Sequence, residues 1–311
     1  MYTPINHMHH VGRFEDSALT EPAAFRGHHQ GYRQAELVNR GTGSVHTGLS
    51  MNELAAGGSI DPHVRAYETG FYLLSGEAVV TIDGAAFHLA PGDYAAVKVG
   101  TPMAWRAAGS VPARWLQMAA PQPKPAGAER DTFFLHGDQM FGGLKASDYR
   151  SLEGTPLDRA DRAGRILGHF DATMIPPMSE RTGAIAGLEG VFLKWLIDEA
   201  AGAVHHRLLY IEYQPGVSIA LHDHTFEEAY FILSGEVQGT LDGTSYTARP
   251  GDVLWTGVGC VHTFTNVSSQ PVRWLETFAP QPPRENVFRF MAEWEKKAAT
   301  LETGAAKGET R

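Results

Sequence analysis

Apolar and polar residues alternate with a strand-like period over short stretches, and turn-forming residues interrupt them every eight to twelve positions. The run at 228–233 is aromatic and β-branched, and Ser234-Gly235 ends it with turn chemistry. The pattern occurs twice. At a constant offset of 159 residues, His63 falls on His222, Gly76 on Gly235 and Asp83-Gly84 on Asp242-Gly243. Pro91-Gly92-Asp93 falls on Pro250-Gly251-Asp252, Arg114-Trp115 on Arg273-Trp274, and Pro121-Gln122-Pro123 on Pro280-Gln281-Pro282. No insertion separates the copies from about His46 to Pro123. One β-rich unit used twice predicts two small antiparallel barrels.

Three segments lie outside the repeat. Residues 1–30 are polar and His-dotted (His7, His9, His10, His28, His29), with no carboxylate at ligand spacing, and read as a solvated arm. Residues 126–187 connect the copies. Their aromatic piece D-T-F-F-L-H-G-D-Q-M-F-G-G-L-K predicts that Phe133, Phe134, Met140 and Phe141 pack on a barrel or cover its mouth. Beyond Pro283, the spacing of Val287, Phe290, Met291 and Trp294 predicts a docked C-terminal helix of about fifteen residues within 284–311.

Composition narrows the setting more than the chemistry. The 311 residues are 43% hydrophobic and 20% charged, with a net charge of −9 and a pI near 5.9. That balance argues against nucleic acid as a partner, which calls for a basic patch. No run is long enough for a membrane span, and the N-terminus lacks an apolar signal core. A single cysteine, Cys260, excludes an intramolecular disulfide and points to the cytoplasm.

The chemistry gathers in two blocks. Residues 216–235 place His222, His224 and Glu228 in the spacing H-x-H-x-x-x-E, and residues 251–266 add His262. On a strand, His222 and His224 share a face, and a short turn can return Glu228 beside them. Imidazoles with a carboxylate suit Fe(II), Mn(II), Ni(II) or Zn(II), and four protein ligands leave positions open on an octahedral ion. The same parity aims Tyr230 and Ile232 inward beside Glu228, and Cys260 and Phe264 beside His262. Tyr230 is a candidate orienting group or acid, and Cys260 a candidate catalytic thiol or simple lining. Glu227 and Asp223 have the opposite parity and read as surface or supporting groups. In the first copy, His63 remains, but Arg65, Thr69 and Met103 replace the other three ligands. Arginine cannot become a ligand and repels a cation, so this copy should hold no metal. It reads either as a structural partner or as an anion pocket around Arg65 and His63.

The two blocks resemble the paired motifs of the cupin superfamily, G-x5-H-x-H-x3-E-x6-G and G-x5-P-x-G-x2-H-x3-N, with Gly257 standing where proline is usual. The resemblance implies an all-β bicupin: two tandem antiparallel jelly-roll barrels (31–125 and 188–283), with one divalent transition metal per chain on His222, His224, Glu228 and His262. It implies a small-molecule substrate and a homodimer or higher homo-oligomer. Fe(II) comes first for the metal, with a dioxygenase acting on a chelating enol, diketone or hydroxylated aromatic. The second reading is a Mn(II) hydrolase or lyase: the layout is similar to ureidoglycine aminohydrolase, though the ligand order differs, and decarboxylation is a variant. The third is a binding protein without catalysis.

Overall fold

The computed structural model describes residues 8–125, 127–128, 130–141, 143–159, 166–181, 189–281 and 289–292. Asp-Gly turns close the equivalent hairpin of each half. Asp83 and Gly84 both take positive φ (48° and 81°), as do Asp242 and Gly243 (45° and 79°). This is the backbone that a two-residue hairpin needs to match the twist of its strands. The turns join Ala78–Ile82 to Ala85–Leu89 and Val237–Leu241 to Thr244–Ala248.

In the C-terminal half, one sheet runs in the order His9–Arg13, Asp252–Thr256, Glu227–Ser234, Val272–Ala279, Arg207–Tyr213 and Val191–Ile197. Its companion runs Thr244–Ala248, Val237–Leu241, His262–Thr265, His222–Asp223 and Arg289–Phe290. The N-terminal half is built around the 18-residue strand Gly48–Arg65, which pairs with His29–Val38, Met103–Ala107, Ala113–Ala120 and Thr132–Phe134.

Strand alternation divides the core into three. Phe71 and Leu73 fill the N-terminal barrel with Trp105 and Trp115, and Tyr230 and Ile232 fill the C-terminal one with Phe264, Trp274 and Phe278. The intervening side chains point the other way. Tyr72, Met118, Ala229, Phe231 and Leu275 form a third cluster that the two halves share. The sheets between the barrels are therefore buried on both faces, which is why F-Y-L-L and A-Y-F-I-L read as unbroken apolar runs.

Two buried carboxylates clamp the halves together. Glu227 accepts from the backbone N–H of Val45, His46 and Thr47 (2.7, 3.1 and 3.1 Å) and from Ser44 Oγ (2.6 Å). Its counterpart Glu68 accepts from the N–H of Val204, His205 and His206 (2.8, 3.0 and 3.2 Å) and from His206 Nδ1 (2.7 Å). Both are at most 2% exposed. Parity turned Glu227 away from Glu228 as expected, but it is buried against the other barrel rather than at the surface.

The segments outside the repeat cover sheet edges, whose open backbone groups need partners. Residues 9–13 are not a free arm: they pair in antiparallel register with Asp252–Thr256, and Arg13 Nη1 meets Asp252 Oδ1 at 2.6 Å. Leu167–His169 covers the equivalent edge, Asp93–Val97, and His169 Nδ1 meets Asp93 Oδ1 at 2.7 Å. His7 lies outside the described residues. In the connection, Phe134 stacks on His28 at 3.8 Å and touches Phe25, whereas Phe133 is exposed because the strand Thr132–Phe134 turns only alternate side chains inward, and Met140 is exposed on the separate hairpin with Leu144–Lys145. At the C-terminus, Val287 and Trp294 lie outside the described residues. Arg289–Phe290 form a strand on His222–Asp223, so the expected helix does not run through Phe290; only Met291 and Ala292 are described as helical. Among the described residues no helix is long and apolar enough to cross a membrane.

Replacing either clamp carboxylate removes the shared acceptor of three backbone N–H groups in the opposite half. Glu68→Ala and Glu227→Ala are each expected to destabilise the fold by about 3 kcal/mol in chemical denaturation. Burial pushes the Glu68 carboxyl up, but its bonds to His206 and the 204–206 backbone outweigh this and hold it below its ordinary value. Its contribution is thus present above the unfolded-state value and lost as pH falls through the folded one. Acid titration should unfold wild type over a range in which Glu68→Ala shows a smaller further loss.

Candidate metal centre

Three short elements bring the sequence-derived ligands together. His222 pairs directly with His262 across antiparallel strands. His224 follows in the link to Glu227–Ser234, its ring stacked at 4.0 Å on Phe226, and Glu228 is the second residue of that strand. The ring centroids lie 4.4 Å apart for His222–His262, 5.0 Å for His224–His262 and 6.0 Å for His222–His224. One nitrogen from each ring falls within 4.8 Å of the others. Glu228 Oε2 stands 2.8 Å from His224 Nε2 and 3.3 Å from His262 Nε2. None of the four residues is more than 3% exposed.

The backbone decides which nitrogen faces inward. His222 Nδ1 donates to Ala220 O (2.8 Å), His224 Nδ1 to Phe226 O (2.7 Å) and His262 Nδ1 to Cys260 O (2.9 Å). A carbonyl can only accept, so each Nδ1 carries its proton and each neutral ring keeps a lone pair on Nε2. Burial, with His262 beside it, lowers His222 to about 4. At His224, burial works downward but is outweighed by Glu228, which pushes the imidazole up. Burial alone would raise Glu228, yet His224 and His262 hold it well below the carboxylate range. The interior thus turns three imidazole nitrogens and a carboxylate toward one another in a dry space, and with the rings neutral this donor set fits a divalent cation.

Tyr230 and Cys260 part company. The Tyr230 hydroxyl donates to Glu228 Oε2 and lies 3.3 Å from His262 Nε2; burial and the Glu228 charge keep it protonated. It orients the carboxylate. Cys260 precedes the strand His262–Thr265 and is fully buried in the C-terminal core cluster with Tyr230 and Phe264. Its sulfur gathers with His9 and Asp242 within 4.8 Å, and burial and Asp242 push the thiol up. That is the environment of an inert thiol; only the Cys260 carbonyl serves the centre.

One interior group escaped the sequence reading. Glu276 lies directly across from Tyr230, and its Oε2 accepts from Trp274 Nε1 at 2.9 Å. Burial and the charge of Glu228 push it well above the carboxylate range, so it stays a neutral acid. Its parity with Trp274, a residue the repeat already marks, was the available signal. Gly257, the departure from the motif, also finds its reason here. Its N–H donates to Met8 O at 2.7 Å, and proline has no proton to give.

The equivalent place in the N-terminal half is built differently. His63 keeps the same bond, Nδ1 to Asp61 O at 2.8 Å, and pairs with Met103 as His222 does with His262. Burial and the neighbouring Arg65 charge lower it to about 3, so it is neutral. Arg65, Thr69 and Gln117 occupy the positions of His224, Glu228 and Glu276.

The cupin domain family matches residues 50–118 and 209–278, which are the two copies of the repeat. No curated protein matches the chain. Among solved structures, the formate complex of Lactobacillus farciminis oxalate decarboxylase is similar at a TM-score of 0.59 and 18% identity, over 91% of this chain and 89% of that one. A variant of Bacillus subtilis oxalate decarboxylase is similar at 0.60 and 18%, over 91% and 80%. At that identity the likeness is one of fold. With two matched cupin domains, one in each barrel of the repeat, the chain is a bicupin of the cupin superfamily.

Proposed function

We propose that the chain is a metal-dependent enzyme whose C-terminal barrel holds one divalent transition metal on His222, His224, Glu228 and His262 and removes carbon dioxide from a small chelating acid. The observation that carries the metal is the convergence of one nitrogen from each of His222, His224 and His262 within 4.8 Å, with Glu228 beside them and each Nδ1 turned to a carbonyl. When bound, such an ion supplies Lewis acidity toward chelating oxygens. Mn(II) is the metal that goes with this reading.

Glu276 supports a lyase. Loss of carbon dioxide leaves an electron pair on carbon, which must be quenched by a proton. A neutral carboxyl inside the barrel, held by Trp274 and facing Tyr230, is a donor for that step. Solvent protons then restore it, so the net change is one carboxylate and one proton giving carbon dioxide and a C–H bond. Tyr230 keeps Glu228 oriented, and the aromatic wall of Phe226, Phe264 and Phe278 keeps water away. The oxalate decarboxylases with the same fold act, by their names, on a small dicarboxylic acid. The same aromatic wall favours a second reading, an Fe(II) dioxygenase acting on an apolar chelating enol. A homo-oligomer in the cytoplasm is the setting proposed for either.

Metal analysis of protein purified without added metal should find about one ion per chain. His262→Ala should lose tight binding by at least about a hundredfold, while His63→Ala keeps the full complement. Retention by the first variant would remove the ligand assignment. Carbon dioxide release, assayed against a panel of oxalate and small keto acids, should fall about a hundredfold or more in Glu276→Gln, with metal content unchanged. Dioxygen uptake without carbon dioxide release, indifferent to that substitution, would select the dioxygenase.

A further inference from the structure

The N-terminal half carries a partly open cavity of about 770 Å³, bordered by residues 18–25, 34–41 and 122–132, within the size range of small-molecule sites. Arg65 and Gln117, standing where the other barrel has His224 and Glu276, line it together with Phe25, Tyr67 and Gln122. Arg65 is only 5% exposed. Its Nη1 donates to Thr69 Oγ1 at 3.3 Å, its Nε has no partner, and the rings of Phe25 and Tyr67 lie 5.6 and 5.7 Å from its guanidinium carbon. Asp131, the acid beside it on the lining, is engaged instead by the Lys124 N–H and Thr132 Oγ1. The two other acids of the lining, Glu21 and Glu36, are engaged by His29 and Asn39, and among the described residues Arg65 has no ion pair, which is costly for a buried guanidinium.

Two more groups in the same cavity lack partners. The Oε1 atoms of Gln117 and Gln122 are buried and accept nothing. For Gln122 the choice of end is determined, because its Nε2 donates to Ser44 O and Thr47 O at 3.2 and 2.9 Å. The cavity thus offers one forked cation and, a short way off, acceptors that want hydroxyl protons. The geometry points to a second ligand site in the metal-less barrel, one that binds a small hydroxylated carboxylate with its carboxylate on the Nε edge of Arg65 and its hydroxyls on Gln117 and Gln122. A carboxylate matches the guanidinium fork, and aromatic walls accommodate the carbon skeleton between polar groups. The inference stands on the N-terminal barrel alone and does not depend on what the other barrel catalyses.

Calorimetric titration of the full chain with gluconate, galacturonate and lactate, and with hexanoate and chloride as controls, tests this. The hydroxy acids should saturate at one site per chain, and they should do so equally in His262→Ala, which removes the other barrel from the measurement. Arg65→Met should weaken them at least about thirtyfold. Gln117→Leu should weaken them about three- to tenfold while leaving hexanoate unchanged. Because Arg65→Met removes an uncompensated buried charge, it should melt no lower than wild type. If it does not fold, Arg65→Lys, which keeps the charge and loses the fork, should still weaken binding about tenfold. Binding that survives in both arginine variants, or that hexanoate or chloride matches, overturns the site; so does the absence of binding by any hydroxy acid at millimolar concentration.

Discussion

The structure depends on two carboxylates that reach out of their own barrels. Glu68 and Glu227 are counterparts in the repeat, and each takes the backbone N–H groups of a loop in the opposite half. A buried charge satisfied by three amides fixes position and orientation together. The consequence for the centre is direct. Glu227 and Glu228 are neighbours on one strand, so anchoring the first outward obliges the second to point inward at the imidazoles. The N-terminal copy keeps the anchor, Glu68, while Thr69 stands where the ligand would be. Holding the barrels together and holding an ion are separable tasks carried by adjacent residues.

How much of this was legible in the sequence follows from the range of the interactions. The hairpins and the approach of His222, His224 and Glu228 are encoded over a few residues, by Asp-Gly turns and by their spacing, while His262 joins them across a strand pair. Parity placed Glu227 on the opposite side from Glu228, but its partners lie about 180 residues away, and no local pattern names them. The same holds for residues 9–13, whose strand partner is at 252–256. Cys260 is buried with Phe264 and Tyr230, but its contact with His9 and Asp242 joins residues far apart in the chain and has no local signal. Glu276 was missed although its parity was known, because a lone carboxyl in an apolar run has no motif.

The two barrels show one scaffold carrying opposite electrostatics. In the C-terminal half, lone pairs and a carboxylate gather around a space that suits a cation. In the N-terminal half, Arg65 turns the same place positive, and Gln117 replaces the acid with an amide. The shared backbone carries both, each barrel having its own apolar core and the two halves sharing the cluster between them.

The pairing of His9–Arg13 with Asp252–Thr256 bears on how the chain is made. His9–Arg13 leaves the ribosome some two hundred and forty residues ahead of its partner strand, 252–256. It must therefore remain extended and unpaired while the N-terminal barrel forms, and closing such a distant contact is slow for entropic reasons. The C-terminal barrel gains its edge strand last, from the opposite end of the chain. Although the repeat suggests two autonomous modules, a C-terminal half separated from its N-terminus would leave that edge open to pair with another molecule.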